Sequence, residues 1–235
     1  MVSMWLCLVG LLAHTQAADH CSPEGGVCQE DHHHCSGEYH SGLCPGGVHN
    51  RCCMPTGSHS SGCPGLTIVS RSQWGARAPK SVSHLRNPVS QVFIHHTETP
   101  ACFNEHDCSV RMRGIQNFHM DSRGWSDIGY SFLVGEDGRI YEGRGWDKVG
   151  AHTKGYNSVA LALSFMGSYM THNPGKAALD AAQAWLGCAI SKGMITSSYK
   201  LYGHRDAGST DCPGDSLYAL IRTWSHYDHH GKPHH

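Results

Sequence analysis

Apolar residues are unevenly distributed along the chain. A short run, Trp5-Leu6-Cys7-Leu8-Val9-Gly10-Leu11-Leu12, lies near the start. Residues 21–53 then hold almost none, and 54–62 (Met-Pro-Thr-Gly-Ser-His-Ser-Ser-Gly) reads as a flexible linker. From Cys63 onward the apolar spacing alternates between strand and helix periods. Residues 66–69 predict a short strand, and Ser72-Gln73-Trp74-Gly75 leads into a turn. Residues 88–96 predict a buried strand with a polar end. Val110, Met112, Ile115 and Phe118 predict an apolar helical stripe within 105–120. Residues 130–134 and 139–142, joined through Glu136-Asp137-Gly138, predict a hairpin. A strand over 158–165, an Ala-rich helix over 176–192 ended by Gly193, and a strand over 199–202 follow. The last element is a helix over 215–227 with Leu217, Leu220, Ile221 and Trp224 on one face. Interleaved strands and helices predict an α/β fold: a mixed central sheet flanked by helices.

The first apolar run is too short to span a bilayer, and no later run is long enough. Thr15 and Ala17 stand at the small-residue positions of a signal-peptide cut. Residues 1–18 are therefore read as a signal peptide and the protein as secreted and soluble. The 235 residues carry a net charge of -1, which argues against nucleic acid or an anionic membrane as partner.

The cysteine count changes the picture. Removing Cys7 from the 12 cysteines leaves an odd number, so at least one has no partner within the chain. Residues 21–53 hold cysteines at 21, 28, 35, 44, 52 and 53 and too little apolar surface for a core, so disulfides must hold them together. Any of 15 pairings is open to six cysteines. Adjacent Cys52 and Cys53 must each reach a different partner. The spacing resembles a small defensin-like module. Arg51 is its only Arg or Lys, which favours a binding or spacer role over an antimicrobial one. The run Asp31-His32-His33-His34-Cys35 reads as a solvated loop rather than a metal site. In the main domain, 63–227, Cys102 and Cys108 are close enough to close a small loop, and Cys63 is paired with Cys188 on the Ala-rich helix. Cys212 is left over: a metal ligand, a free buried thiol or an intermolecular bridge.

The chain has 21 His, and two end apolar strands: His95 and His204. Strand ends are where α/β sheets place their sites. His95 and His96 are consecutive in a strand and point to opposite faces, so only one of them faces a site there. His204, Thr210 and Cys212 lie within nine residues, and His and Cys are the usual zinc ligands.

These residues sit in segments whose resemblance is to peptidoglycan recognition proteins of the type-2 amidase superfamily. The segments are Phe93-Ile94-His95-His96-Thr97, the Cys102/Cys108 loop, Gly124-Trp125-Ser126-Asp127-Ile128-Gly129-Tyr130-Ser131-Phe132, Tyr141-Glu142-Gly143-Arg144-Gly145-Trp146, Gly150-Ala151-His152-Thr153, Ser164-Phe165-Met166-Gly167, and Gly203-His204-Arg205-Asp206 through Asp211-Cys212-Pro213-Gly214. The resemblance implies a Zn2+ ion held by His95, His204 and Cys212, with an open fourth position. It implies hydrolysis of the amide between the lactyl group of N-acetylmuramic acid and L-alanine in bacterial peptidoglycan, a step of innate immunity. Tyr130 resembles the family's catalytic tyrosine, and Thr210 takes a polarising or positioning role. Trp125, Arg144, Trp146, His152, Tyr156 and Asn157 are candidate substrate contacts. The rival functions are a non-catalytic peptidoglycan receptor, which typically lacks the Cys, and an antimicrobial effector acting through the N-terminal module. The His-rich end, 228–235, reads as a disordered tail.

Overall fold

The structure is a computed structural model that describes residues 21, 27–30, 32–33, 35, 37–40, 44–45, 49–55, 63, 65–230 and 233. The expected signal peptide, linker residues 56–62 and His34 lie outside the described residues. The chain divides into two compact units, Met1–Ser58 and His59–His235.

In the first unit, β1 (Val27–Glu30), β2 (Gly37–His40) and β3 (Asn50–Pro55) form an antiparallel sheet in the order β1-β3-β2. Cys52 and Cys53 are neighbours on β3, so their side chains leave opposite faces. One bonds Cys21 and the other Cys35, and Cys28 bonds Cys44. Tyr39 supplements these bridges: its hydroxyl donates to the His33 carbonyl at 2.6 Å, and Arg51 lies over its ring. Cys35 is consumed by its disulfide, so the His32-His33 run has no thiol beside it.

The second unit is built on β4 (Ile68–Val69), β5 (Val89–His96), β6 (Phe132–Val134), β7 (Ile140–Glu142), β8 (Ala160–Phe165) and β9 (Ile195–Gly203). Their order is β4-β7-β6-β8-β5-β9; the β6–β7 hairpin is antiparallel and every other pair parallel. The helices are α1 (Arg71–Trp74), α2 (Glu105–Asn117), α3 (Lys176–Ser191), α4 (His204–Ala207) and α5 (Asp215–Ile221). Central β8 is buried along its whole length, as a parallel strand covered on both faces must be. On one face Val92, Ile94, Leu161 and Leu163 pack with Ala182, Trp185 and Ala189 of α3. On the other, Leu133 and Tyr141 pack with Met112 and Ile115 of α2 and with Trp74. Full burial of each large apolar side chain contributes about 1.5–3 kcal/mol. Cys63–Cys188 and Cys102–Cys108 are bonded, and Cys212 is the free cysteine among the described residues.

Three expectations change. The stripe splits: Met112 and Ile115 of α2 are buried, whereas Val110 and the capping Phe118, which opens a π-helical turn over Phe118–Ser122, are 48% and 49% exposed. Residues four apart share a helix face, so 110, 114 and 118 form a second stripe turned from the core. The last helix ends at Ile221, not 227, and His226 adopts a left-handed φ of 71°. That turn brings Tyr227 beside Leu201, where the Leu201 N–H donates to the His226 carbonyl at 2.8 Å and the Asp228 N–H to the Leu201 carbonyl at 3.1 Å. The edge of β9 would otherwise present unpaired backbone groups. For the same reason part of the presumed tail is tethered: Tyr202 donates to Asp228 at 2.8 Å and Tyr156 to the Pro233 carbonyl at 2.7 Å. Among the described residues, no helix is long and apolar enough to cross a membrane.

Candidate active site

Parallel pairing sets Ile94 of β5 beside Gly203, the last residue of β9, so the pairing of the two strands ends there. The next residues out are His95 and His204. Alternation along β5 turns His95 away from the α3 face, on which Ile94 sits, and toward the face occupied by α2. His96 points the other way, where its Nδ1 accepts from the Tyr169 N–H at 3.3 Å. His204 opens α4. Its place is set by Asp206, whose carboxylate accepts from the Gly203 N–H at 2.7 Å, from Tyr218 at 2.6 Å and from Tyr227 at 3.0 Å. The chain then loops back. The Arg205 N–H donates to the Cys212 carbonyl at 3.0 Å, and the Cys212 N–H donates to Thr210 Oγ1 at 3.2 Å.

These constraints bring the ligand atoms of His95, His204 and Cys212 within 4.8 Å of one another. Cys212 Sγ lies 3.6 Å from His95 Nδ1, and the backbone N–H of His96 points at the sulfur from 3.4 Å. Burial, followed by the neighbouring His204, His152 and His96, drives His95 well below its ordinary range, so its imidazole is neutral. Burial also lowers His204. The Cys212 thiol is pushed up to about 12, again chiefly by burial. Two neutral imidazoles and a thiol that becomes thiolate only beside a cation form a donor set suited to a borderline-soft divalent metal.

The three residues lie at the floor of a cleft of about 680 Å³. Tyr130, His152 and Thr210 line it beside them. Burial raises the Tyr130 phenol, with Cys212 acting in the same direction, so the hydroxyl stays protonated and can donate. Thr210 spends a lone pair on the Cys212 N–H, which leaves its own O–H to donate.

The expected substrate contacts divide. Trp125 and His152 line the cleft. Gly129 makes room for Trp125: a Cβ there would stand 2.8 Å from the indole. Arg144, Trp146, Tyr156 and Asn157 do not line it. Arg144 is buried and donates to the carbonyls of Ile128 and Val149, both at 2.7 Å, bracing the loop behind the cleft. Trp146 stacks on Trp185 at 5.3 Å with an 11° interplanar angle and packs on Phe132, so it belongs to the α3 core. Tyr156 packs on Phe93. Asn157 Oδ1 accepts from the backbone N–H groups of His152 and Thr153 at 2.8 and 2.9 Å. Each was a polar or aromatic residue beside a motif, and each is used to hold that motif in place.

The cleft wall was missed. Val110 and Gly114 of α2 and Phe118, the residue that caps it, line the cleft together with His119 and Arg123. Their i, i+4, i+8 spacing was the available signal. Thr153, against His95, was missed as well.

Residues 85–215 match the family model described as N-acetylmuramoyl-L-alanine amidase. The chain belongs to this family, in its peptidoglycan-recognition-protein branch. It is 47% identical to peptidoglycan-recognition protein SC2 of Drosophila melanogaster over 163 residues, 69% of this chain and 89% of that protein. It is 46% identical to peptidoglycan recognition protein 1 of Bos taurus over 162 residues, 68% of this chain and 85% of that one. Among solved structures, Drosophila PGRP-LB superimposes with a TM-score of 0.69 at 45% identity, covering 72% of this chain and 99% of its own. Peptidoglycan recognition protein-LE, solved in complex with tracheal cytotoxin, superimposes with a TM-score of 0.68 at 43% identity, covering 68% of this chain and 95% of its own.

Proposed function

We propose that the protein is a secreted, zinc-dependent N-acetylmuramoyl-L-alanine amidase that binds bacterial peptidoglycan and cleaves its lactyl–L-alanine amide in innate immunity. The convergence of His95, His204 and Cys212 at the floor of a cleft carries the reading. Zinc held there would supply Lewis acidity toward the scissile carbonyl and acidify a water. His95 and His204 would hold it through neutral imidazole nitrogens and Cys212 through its thiolate. Tyr130 donates its O–H to the negative charge that develops on the carbonyl oxygen, a contribution that grows in the transition state. Thr210 fixes the turn carrying Cys212 and presents its remaining O–H to the same region. Trp125 and the α2 wall bind the glycan and peptide and exclude water. The five disulfides among the described residues suit an oxidising, extracellular setting.

The test is incubation of the full protein with defined muropeptides, with and without chelator, beside Cys212→Ala, with products read by mass spectrometry. Free stem peptide from the zinc-loaded wild type alone is the expected result. Tight muropeptide binding with no product at any zinc level would make the protein a receptor instead.

A further inference from the structure

The hydroxyl of Thr153 stands between two histidine rings. Its Oγ1 lies 3.3 Å from His95 Nε2 and 3.0 Å from His152 Nδ1. Thr153 is 1% exposed, so water does not compete for these bonds. A hydroxyl has one proton to donate. Two proton registers therefore satisfy the chain. In the first, His95 Nε2–H donates to Thr153, and Thr153 donates to His152 Nδ1. In the second every direction reverses, and His95 carries its proton on Nδ1. That proton would then point at Cys212 Sγ, 3.6 Å away, where a metal needs a lone pair.

We propose that Thr153 is a positioning residue for the metal: its hydroxyl accepts from His95 Nε2–H and so keeps the Nδ1 lone pair turned into the site. The inference rests on the zinc reading above. The surroundings are built to hold this hydroxyl still. Asn157 Oδ1 clamps the N–H groups of both 152 and 153. The His152 ring fits only because residue 150 is glycine, since a Cβ there would stand 2.3 Å from His152 Cδ2. No charged acceptor is involved. The neutral Thr–His152 pair does for His95 what a carboxylate or carbonyl does for most metal-bound histidines.

Thr153→Val keeps the shape and removes the oxygen; Thr153→Ser keeps the oxygen. The full protein, its wild type and both variants, is titrated with zinc against a chromophoric chelator. Loss of about 10–100-fold in zinc affinity is expected for Val, with Ser within about threefold of wild type. Imidazole 15N spectra of the zinc-loaded wild type should show His95 protonated at Nε2 and unprotonated at Nδ1. Val within about threefold of wild type would overturn the proposal, as would a His95 protonated at Nδ1. The spectrum decides if the Val variant does not fold. A wild type with no zinc affinity would refute the functional reading itself, whereas normal wild-type affinity with an unaffected Val variant refutes only the role of Thr153.

Discussion

Loading the metal-free protein with zinc at pH 6 should release between about one and two protons per ion, chiefly the one from Cys212. The thiol is held at about 12 by burial, so in the metal-free protein it is protonated throughout the neutral range. His95 is held well below its ordinary range, so it binds metal without giving up a proton, and burial lowers His204 as well, so it gives up less than an unperturbed imidazole would. If both imidazoles titrated at their ordinary value near 6.5, each would be about three-quarters protonated at pH 6, and release would rise to about 2.5. Working at pH 6 also keeps below the range in which a zinc-bound water ionises. The thiol has to be carried across some five pH units to be ionised at pH 7, a cost of about 7 kcal/mol drawn from the intrinsic metal affinity. Calorimetric titrations in buffers of different ionisation enthalpy measure the proton count. The apparent affinity should strengthen about tenfold per pH unit between pH 6 and 7, because one proton competes with the metal. A count of two or more would refute the account of the histidines. A count of zero would mean that Cys212 is already a thiolate, and the account of its burial would fail.

Tyr130→Phe removes the donor but no ligand, so kcat should fall about 10²–10³-fold with zinc affinity unchanged; a parallel loss of zinc would place the hydroxyl in the metal shell instead. A Cβ at Gly114 meets nothing within 4 Å, so Gly114→Leu should fold with unchanged or higher Tm while muropeptide KM rises at least about tenfold; an unaltered KM would show that α2 does not form the substrate wall. Trp146→Ala should cost about 3 kcal/mol of stability in denaturant unfolding and leave KM of the folded fraction unchanged, whereas a KM effect without a stability loss would restore Trp146 as a substrate contact. Burial lowers His119 to about 4, so between that pH and 6.5 the unfolded chain binds more protons than the folded one, and stability is lost as pH falls through the window. His119→Gln should recover about 2–3 kcal/mol of the wild-type loss between pH 7 and 4.5 in urea titrations; identical pH dependence in the two proteins would show that His119 is not the titrating group.

The parts of the fold that local pattern specifies were legible in the sequence. Strand β5 read as buried because a parallel strand covered on both faces has an uninterrupted apolar run, Val92-Phe93-Ile94. The β6–β7 hairpin read correctly because its turn carries Gly138 at a φ of 74°, a conformation the Asp-Gly pair signals. What failed depended on neighbours far along the chain. Helical periodicity identified α2 but not which of its two stripes faced the core, since apolar residues occupied both. The end of α5 is set by pairing of 227 with the edge of β9, and nothing within 215–227 announces that pairing.

The same division runs through the site. His95, His204 and Cys212 stand out in the sequence as candidates: the histidines follow apolar strands, and pairing the other cysteines of the domain leaves Cys212 over. Arg144, Trp146, Tyr156 and Asn157 lie off the cleft lining, and residue type alone does not separate a side chain that lines a cleft from one that holds the loop doing so. The Asn157 amide oxygen accepts the N–H groups of His152 and Thr153, and Thr153 in turn reaches His95 across 58 residues. In the proposal above, a motif neighbour tunes metal affinity without touching either metal or substrate. For Gly150-Ala151-His152-Thr153, the physical content of the motif is then a rigid hydroxyl and a ring at fixed distance from His95. This is why exchanging Thr153 for Val, with nearly the same volume, is a sharper probe of the site than removing any residue that lines the cleft.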